Sequence, residues 1–385
     1  LIPAFALAAL LGALNPAHDV YVWQRHWTPA LHAALADSRD LFSGVRVLVA
    51  QAGRDGRWLA TEADPRAFVG DSRALTAVVR YDGAGAAPDA TKLAPFLAEL
   101  VARWRKAGVA FAGVEIDYDC GTAHLADYAK RLHDLRVALP REMRLSITAL
   151  PSWQNASSLN AVLAEADEAV LQVHAVQNPS RGVFGADVAE RWIRAFAPHA
   201  RRGFRVALPA YGMRVRFGED GRALAVESEM AVDAAGTDDA RELRAEPADV
   251  VRLLARLAHD PPPNFHGIAW FRLPLPGDRR AWTIAALRDV ISGRVPQARI
   301  GVEVVTSGGA SDLVVVNDGA ADAPATSVRV SGNECKAGDA ATGWRGEPVA
   351  DGWRFVPDAA LYIRAGTKRA VGWVRCAGAV EARVE

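Results

Sequence analysis

Two textures alternate along residues 19–293. Short runs rich in Val, Ile and aromatic residues are followed by longer Ala/Leu/Arg-rich stretches whose apolar positions recur every three or four residues. The first texture has the period of a buried strand and the second that of an amphipathic helix. Strands are predicted over 19–27, 44–52, 74–82, 113–120, 144–151, 169–176, 204–212 and 267–274, and helices over 92–108, 124–139, 186–200, 247–259 and 279–293. Strands joined by helical connections in this number are the pattern of a (β/α)8 TIM barrel. An open doubly wound sheet would need a Gly-rich phosphate-binding turn after the first strand, and none is there. The acidic, Gly-containing stretch 213–246 reads as an insertion beside the barrel mouth. After residue 296 the helical texture ends, and short strands separated by Gly, Asp and Asn turns predict a C-terminal all-β sandwich over 296–385, with the barrel over 17–295.

Composition narrows the class of protein. Of 385 residues half are apolar, enough to build both cores. Basic and acidic residues number 45 each, so net charge is zero and no overall attraction to nucleic acid is expected. The start, LIPAFALAALLGALN, is apolar and uncharged but short for a bilayer span. It reads as a signal-peptide remnant over 1–16, which predicts export to the periplasm or beyond and no stable membrane span in the mature chain. A buried first strand or helix is the alternative. Cys335 and Cys376 both fall in the small β domain and are expected to pair in an oxidising compartment. Cys120 is left over, as a small packed neighbour of the acidic strand. No metal-ligand spacing, P-loop or Ser-His-Asp order occurs, so no metal or cofactor is expected.

The strongest chemical signal is Gly113-Val114-Glu115-Ile116-Asp117-Tyr118-Asp119. Alternation along a strand sends Val114, Ile116 and Tyr118 to the helices and Glu115, Asp117 and Asp119 to the barrel interior, successive same-face residues lying about 6.6 Å apart. Asp119 is nearest the C-terminal mouth, where barrel enzymes do chemistry, and Glu115 is deepest. Three buried acids are costly unless they are paired, protonated or used. An internal network with lumen Arg or His is the ordinary explanation. The functional one is that neighbouring charges hold one carboxyl protonated as a donor while another stays ionised, as glycosidic cleavage requires.

This strand carries a resemblance. The chain resembles the chitinase-like family 18 glycosidase superfamily, and is most similar to an uncharacterised bacterial branch of it. The family's fourth strand reads D-G-x-D-x-D-x-E, and Ala112 to Asp119 stand in those positions. Pro209-Ala210-Tyr211-Gly212 is similar to its seventh-strand P-x-Y-G, and Gly267-Ile268-Ala269-Trp270-Phe271 to its eighth-strand G-I-x-x-W. The resemblance covers roughly 19–293. It implies that Asp119 protonates the leaving oxygen and that Asp117 orients a substrate acetamido group acting as nucleophile. The departures are that the acid is Asp rather than Glu, that Ala112 and Glu115 replace two aspartates, and that the sixth strand lacks the Tyr and Asp that hold the acetamido group.

Further lumen candidates are Gln172 and His174, which share a strand face, Tyr211 at the mouth, and Trp270 as a floor on which a sugar stacks. The parity of Trp270 and Phe271 is open. On the first strand either Tyr21, Trp23 and Arg25 or Gln24 and His26 face inward, and Trp23 is the stacking candidate. Arg80 or Asp82 closes the third strand. Trp153 is an aromatic candidate in a mouth loop. The expectation is a glycoside-hydrolase-like protein that acts on or binds a polysaccharide or glycoconjugate, with acid catalysis from Glu115, Asp117 and Asp119. The rivals are a catalytically silent, lectin-like protein and a structural envelope protein. The sandwich serves accessory packing or carbohydrate binding.

Overall fold

The computed structural model describes residues 16–53, 58–83, 87–174, 182–218, 223–227, 240–278, 280–358 and 361–385. The proposed signal segment therefore lies outside the described residues, apart from its last position. The chain divides into two compact units between Ile284 and Ala285.

In the first unit eight parallel strands close on themselves. They are β1 (Ala17–Val22), β2 (Gly44–Ala52), β3 (Ala74–Tyr81), β4 (Gly113–Tyr118), β5 (Arg144–Ala149), β6 (Glu168–Gln172), β7 (Phe204–Pro209) and β8 (Phe265–Phe271). Each pairs with its sequence neighbours, and β1 pairs with both β2 and β8, so the sheet is a closed barrel. Helices α1 (Pro29–Asp37), α2 (Ala90–Lys106), α3 (Leu125–Ala138), α4 (Leu159–Glu165), α5 (Ala186–Phe196), α6 (Pro247–His259) and α7 (Ile284–Ile291) follow in chain order. Two of them, α1 and α4, of nine and seven residues, were not among the helices predicted from the sequence. The helix α1 is held by its cap, where the Thr28 hydroxyl accepts from Leu31 N and Pro29 opens the first turn. The crossover from β2 to β3 has no α-helix among its described residues. A short strand, Trp58–Ala60, pairs antiparallel with β2, and a 3₁₀ turn, Pro65–Phe68, follows.

The lumen is built in layers. At the bottom, buried Arg46 meets Asp19, Glu115 and Glu168. Above it lies an apolar layer of Tyr21, Leu48, Val78, Val170, Ala207 and Ala269, which separates the ionic base from the mouth. The predicted insertion forms a three-stranded antiparallel sheet, with Gly212–Phe217 between Ala223–Glu227 and Ala240–Arg244. Met213, Val215 and Phe217 from its central strand pack with Tyr211, Phe271 and Trp282, which anchors it to the barrel rim.

The second unit carries two four-stranded antiparallel sheets. One orders Ile300–Ser307, Ala310–Asn317, Thr367–Arg375 and Ala337–Ala340. The other orders Trp344–Val349, Gly352–Pro357, Val328–Gly332 and Val380–Val384. Leu313, Val315, Val328, Val330, Phe355, Val371 and Val374 form its core. Cys335 and Cys376 are disulfide-bonded across 41 residues of chain. Closing a loop of that length restricts the unfolded chain, so Cys335→Ser with Cys376→Ser should destabilise this unit by about 2–4 kcal/mol. Thermal unfolding of the oxidised and the doubly substituted protein measures it, and no change in the transition of this unit would refute it. Among the described residues no helix is long and apolar enough to cross a membrane.

Candidate active site at the barrel mouth

The outward residues of β4 fix the direction of the inward ones. Val114, Ile116 and Tyr118 are buried against the helices, and Tyr118 meets Tyr128 of α3 edge to face at 5.1 Å. Glu115 and Asp117 therefore turn into the lumen, and Asp119 follows just past the strand end. The loop after β3 lies directly against the Asp119 carbonyl. A side chain at Gly83 would stand 2.0 Å from that oxygen, so only glycine permits this approach.

Asp117 and Asp119 line a cleft of about 370 Å³ at the C-terminal mouth. Asp117 is 2% exposed, and its carboxylate accepts from Thr148 Oγ1 at 2.8 Å and meets Arg80 Nη1 at 3.4 Å. The Gln172 amide nitrogen spans the pair, 3.5 Å from Asp117 and 3.4 Å from Asp119. Burial, followed by the nearby negative charge of Asp119, pushes the Asp117 carboxyl up to about 7, with Arg80 and the Thr148 hydrogen bond opposing. Burial also raises Asp119, against the pull of Arg80. A carboxyl raised this far keeps a proton in the pair up to about neutral pH.

The opposite wall carries a neutral pair. Burial lowers His174 to about 4, so its imidazole is uncharged at pH 7. Its Nδ1 lies 3.3 Å from the Tyr211 hydroxyl, and Phe271 stacks on the ring at 5.4 Å. Trp23, Arg25, Gln51 and Met213 complete the described lining. On the first strand it is thus Tyr21, Trp23 and Arg25 that face inward.

Three site expectations are corrected. Glu115 is fully buried beneath the cleft and does not line it. It accepts from Tyr21 Oη at 2.7 Å and from Arg46, so it belongs to the ionic base. Trp270 points away from the lumen, with Nε1 donating to His18 Nδ1 at 3.0 Å. The parity of β8 gives the cleft to Phe271 instead. Trp153 is fully buried and donates to the Cys120 carbonyl at 2.8 Å, so it offers no face at the mouth.

Gln51, Thr148 and Met213 escaped the sequence reading. Thr148 left a signal, since Ser146 and Thr148 are polar at alternate positions of an otherwise apolar strand. Gln51 left none, because a bulge between Leu48 and Ala50 shifts the inward parity of β2 by one residue. Among the described residues no cluster of His, Cys, Asp and Glu is placed to hold a metal ion.

The raised Asp117 carboxyl has a consequence for stability. A carboxyl with a folded-state pKa above its unfolded value favours folding most at low pH, and that contribution is lost as pH rises from about 4 to about 7. Asp117→Asn removes the titration and can still accept from Thr148. The variant should therefore gain on the wild type between pH 4 and pH 8, by more than about 1 kcal/mol. Denaturant midpoints across that range test it, and a difference independent of pH would show that Asp117 is not protonated in the fold.

A closed barrel with paired acids at the end of its fourth strand places the protein in the fold class of the chitinases. The chain belongs to the family described as Domain of unknown function (DUF3142), whose model matches residues 71–276. A second, Domain of unknown function (DUF8456), matches residues 300–377. No curated protein matches the sequence. Among solved structures, a chitinase from Chromobacterium violaceum is similar with a TM-score of 0.51 at 15% identity, covering 72% of this chain and 98% of that one. The Bacillus cereus spore cortex-lytic enzyme SleL gives 0.50 at 12% identity, covering 73% and 74%. A Bacteroides thetaiotaomicron chitinase gives 0.50 at 10% identity, covering 72% and 94%. These likenesses are of fold.

Proposed function

We propose that the protein is a glycoside hydrolase acting on a polysaccharide or glycoconjugate, with Asp117 and Asp119 as its acid pair. The observation that carries this reading is the shared, buried position of the two carboxyls at the cleft, spanned by Gln172 and holding one proton. Asp119 is the less buried and stands at the strand end, so it delivers the proton to the leaving oxygen. The proton that Asp117 holds in the free protein passes to Asp119 as the sugar binds, and Asp117, held by Thr148 and Arg80, is left with the negative charge that stabilises the cationic sugar ring or orients its neighbouring group. Trp23 and Phe271 give the sugar apolar faces, and Gln51, Gln172, His174 and Tyr211 give it hydrogen-bonding groups.

The departures from the chitinase pattern favour a second reading, in which the cleft binds a glycan without cleaving it. Aspartate at the acid position reaches about 1.3–1.5 Å less than glutamate, and an error near 1 Å in a catalytic group costs up to about 10²-fold. A hydrolysis screen over a broad glycan panel separates the two. Turnover in the wild type that disappears in Asp119→Asn supports the hydrolase, and binding without turnover supports the lectin-like protein. The apolar start and the Cys335–Cys376 bond support an exported protein. Cell fractionation of the full-length protein, with the thiols counted, checks this.

A further inference from the structure

Arg25 and Arg80 both line the cleft, and cleavage of a neutral sugar gives Arg25 no task. Arg80 is the register partner of Asp117 on β3, and Gln51 on β2 is the register partner of Arg80. Arg25, just past β1, bonds through Nη2 to Gln51 Oε1 at 2.6 Å. One quarter of the mouth, formed by β1, β2 and β3, thus presents two guanidiniums beside the acid pair. Both are held in place. The Arg80 guanidinium lies over the Trp23 ring at 5.5 Å, and the backbone at Arg25 is pinned by Glu62 N donating to its carbonyl at 2.9 Å. Glu62 is paired with His26 at 3.1 Å.

If Arg80 served only to neutralise Asp117, a close bidentate pair would be the stable geometry. It makes instead one 3.4 Å contact, and Asp117 remains hard to ionise. Arg25 and Arg80 thus face two carboxyls that burial makes harder to ionise, with His174 neutral beside them. Planar guanidinium forks of this kind match carboxylates.

We propose that the saccharide bound in this cleft is acidic, and that its carboxylate is received by Arg25 and Arg80 on the β1–β3 side of the mouth. This rests on the glycan reading above and names the substrate class within it.

The test uses an array of uronate polymers and sialylated chains, each printed beside its carboxyl-reduced counterpart, probed with the full chain. The wild type should bind at least one acidic glycan, with affinity falling about ten-fold or more on carboxyl reduction, since a charge-assisted hydrogen bond of this kind is worth that much. Arg25→Gln and Arg80→Gln should each lose that preference while melting close to the wild type, and Arg25→Lys should keep part of it. Equal binding of the reduced glycans, a preference that survives both Gln variants, or binding to no acidic glycan would each overturn the proposal. Carboxylate-selective binding without hydrolysis would overturn only the enzyme reading. Hydrolysis of a neutral chain unaffected by Arg25→Gln would overturn only the acidic substrate.

Discussion

Asp119→Asn is expected to lower glycan hydrolysis by about 10²-fold or more while leaving the fold intact, because general acid catalysis contributes about 10²–10⁴-fold. The side chain is partly exposed at the mouth, and Gln172 approaches it at a long 3.4 Å, so the amide replaces it at little structural cost. Asp117→Asn should reduce turnover similarly by a different route. It leaves the proton donor in place and removes the charge that faces the sugar ring. The pH profiles separate the two. Wild-type activity should fall above about pH 7 as the shared proton is lost. Asp117→Asn removes the carboxyl that is raised to about 7, so its residual activity should no longer break near that pH. Turnover unchanged by both substitutions would remove the acid pair from the mechanism.

Arg46→Met should be the most damaging single substitution in the barrel, costing about 3–5 kcal/mol. The guanidinium is 3% exposed and faces three carboxylates, with Asp19 at 3.0 Å, Glu168 at 2.8 Å and Glu115 in direct contact. Taking it away leaves Asp19 with Arg205, Glu168 with Arg205 and His266, and Glu115 with the hydroxyls of Tyr21 and Ser146. Glu168 marks the pH window. Despite its burial, Arg46 and Arg205 hold its carboxyl down to about 2, so its contribution is present above the unfolded value near 4.5 and is lost as pH falls toward 2. The deficit of Arg46→Met should accordingly be largest above about pH 5 and shrink in acid. Adding Glu115→Gln should recover part of it, since burial already disfavours the charged form of Glu115 and Arg46 no longer offsets that. Equilibrium unfolding of the three proteins measures this. A deficit below 1 kcal/mol would mean that the base of the barrel is not held by these pairs.

Individual elements show how far the primary structure reaches. Strand β2 spans 44–52 and helix α6 spans 247–259, as their patterns predict, because each is an uninterrupted run of one period bounded by clear breakers. Strand β7 ends at Pro209, earlier than predicted, because the apolar texture continues into residues that turn at the mouth, and β6 ends at Gln172, with positions 175 and 176 of its predicted span outside the described residues. The inward set on β4 was legible because its other face is purely apolar. The choice between Trp270 and Phe271 was not, because both are aromatic and alternation fixes a relative parity but not an absolute one.

Eight strands and five of the helices that follow them, an antiparallel C-terminal region, two cysteines placed to pair and three acids on one strand face were determined by the sequence alone. They are consequences of local period and residue type, which act over a few neighbouring positions. Tertiary structure decided which of those acids can meet a substrate. Glu115 and Asp117 are two residues apart on the same face, yet one is enclosed by Tyr21 and Arg46 and the other opens on the cleft. What separates them is an apolar layer drawn from β1, β2, β3, β6, β7 and β8. Its height in the barrel depends on the stagger of every strand against its neighbours, and the bulge in β2 that brings Gln51 beside Arg80 is part of that stagger. A protonation state set by burial and by charges from distant segments has no local sequence signature, because its cause is the closed barrel itself.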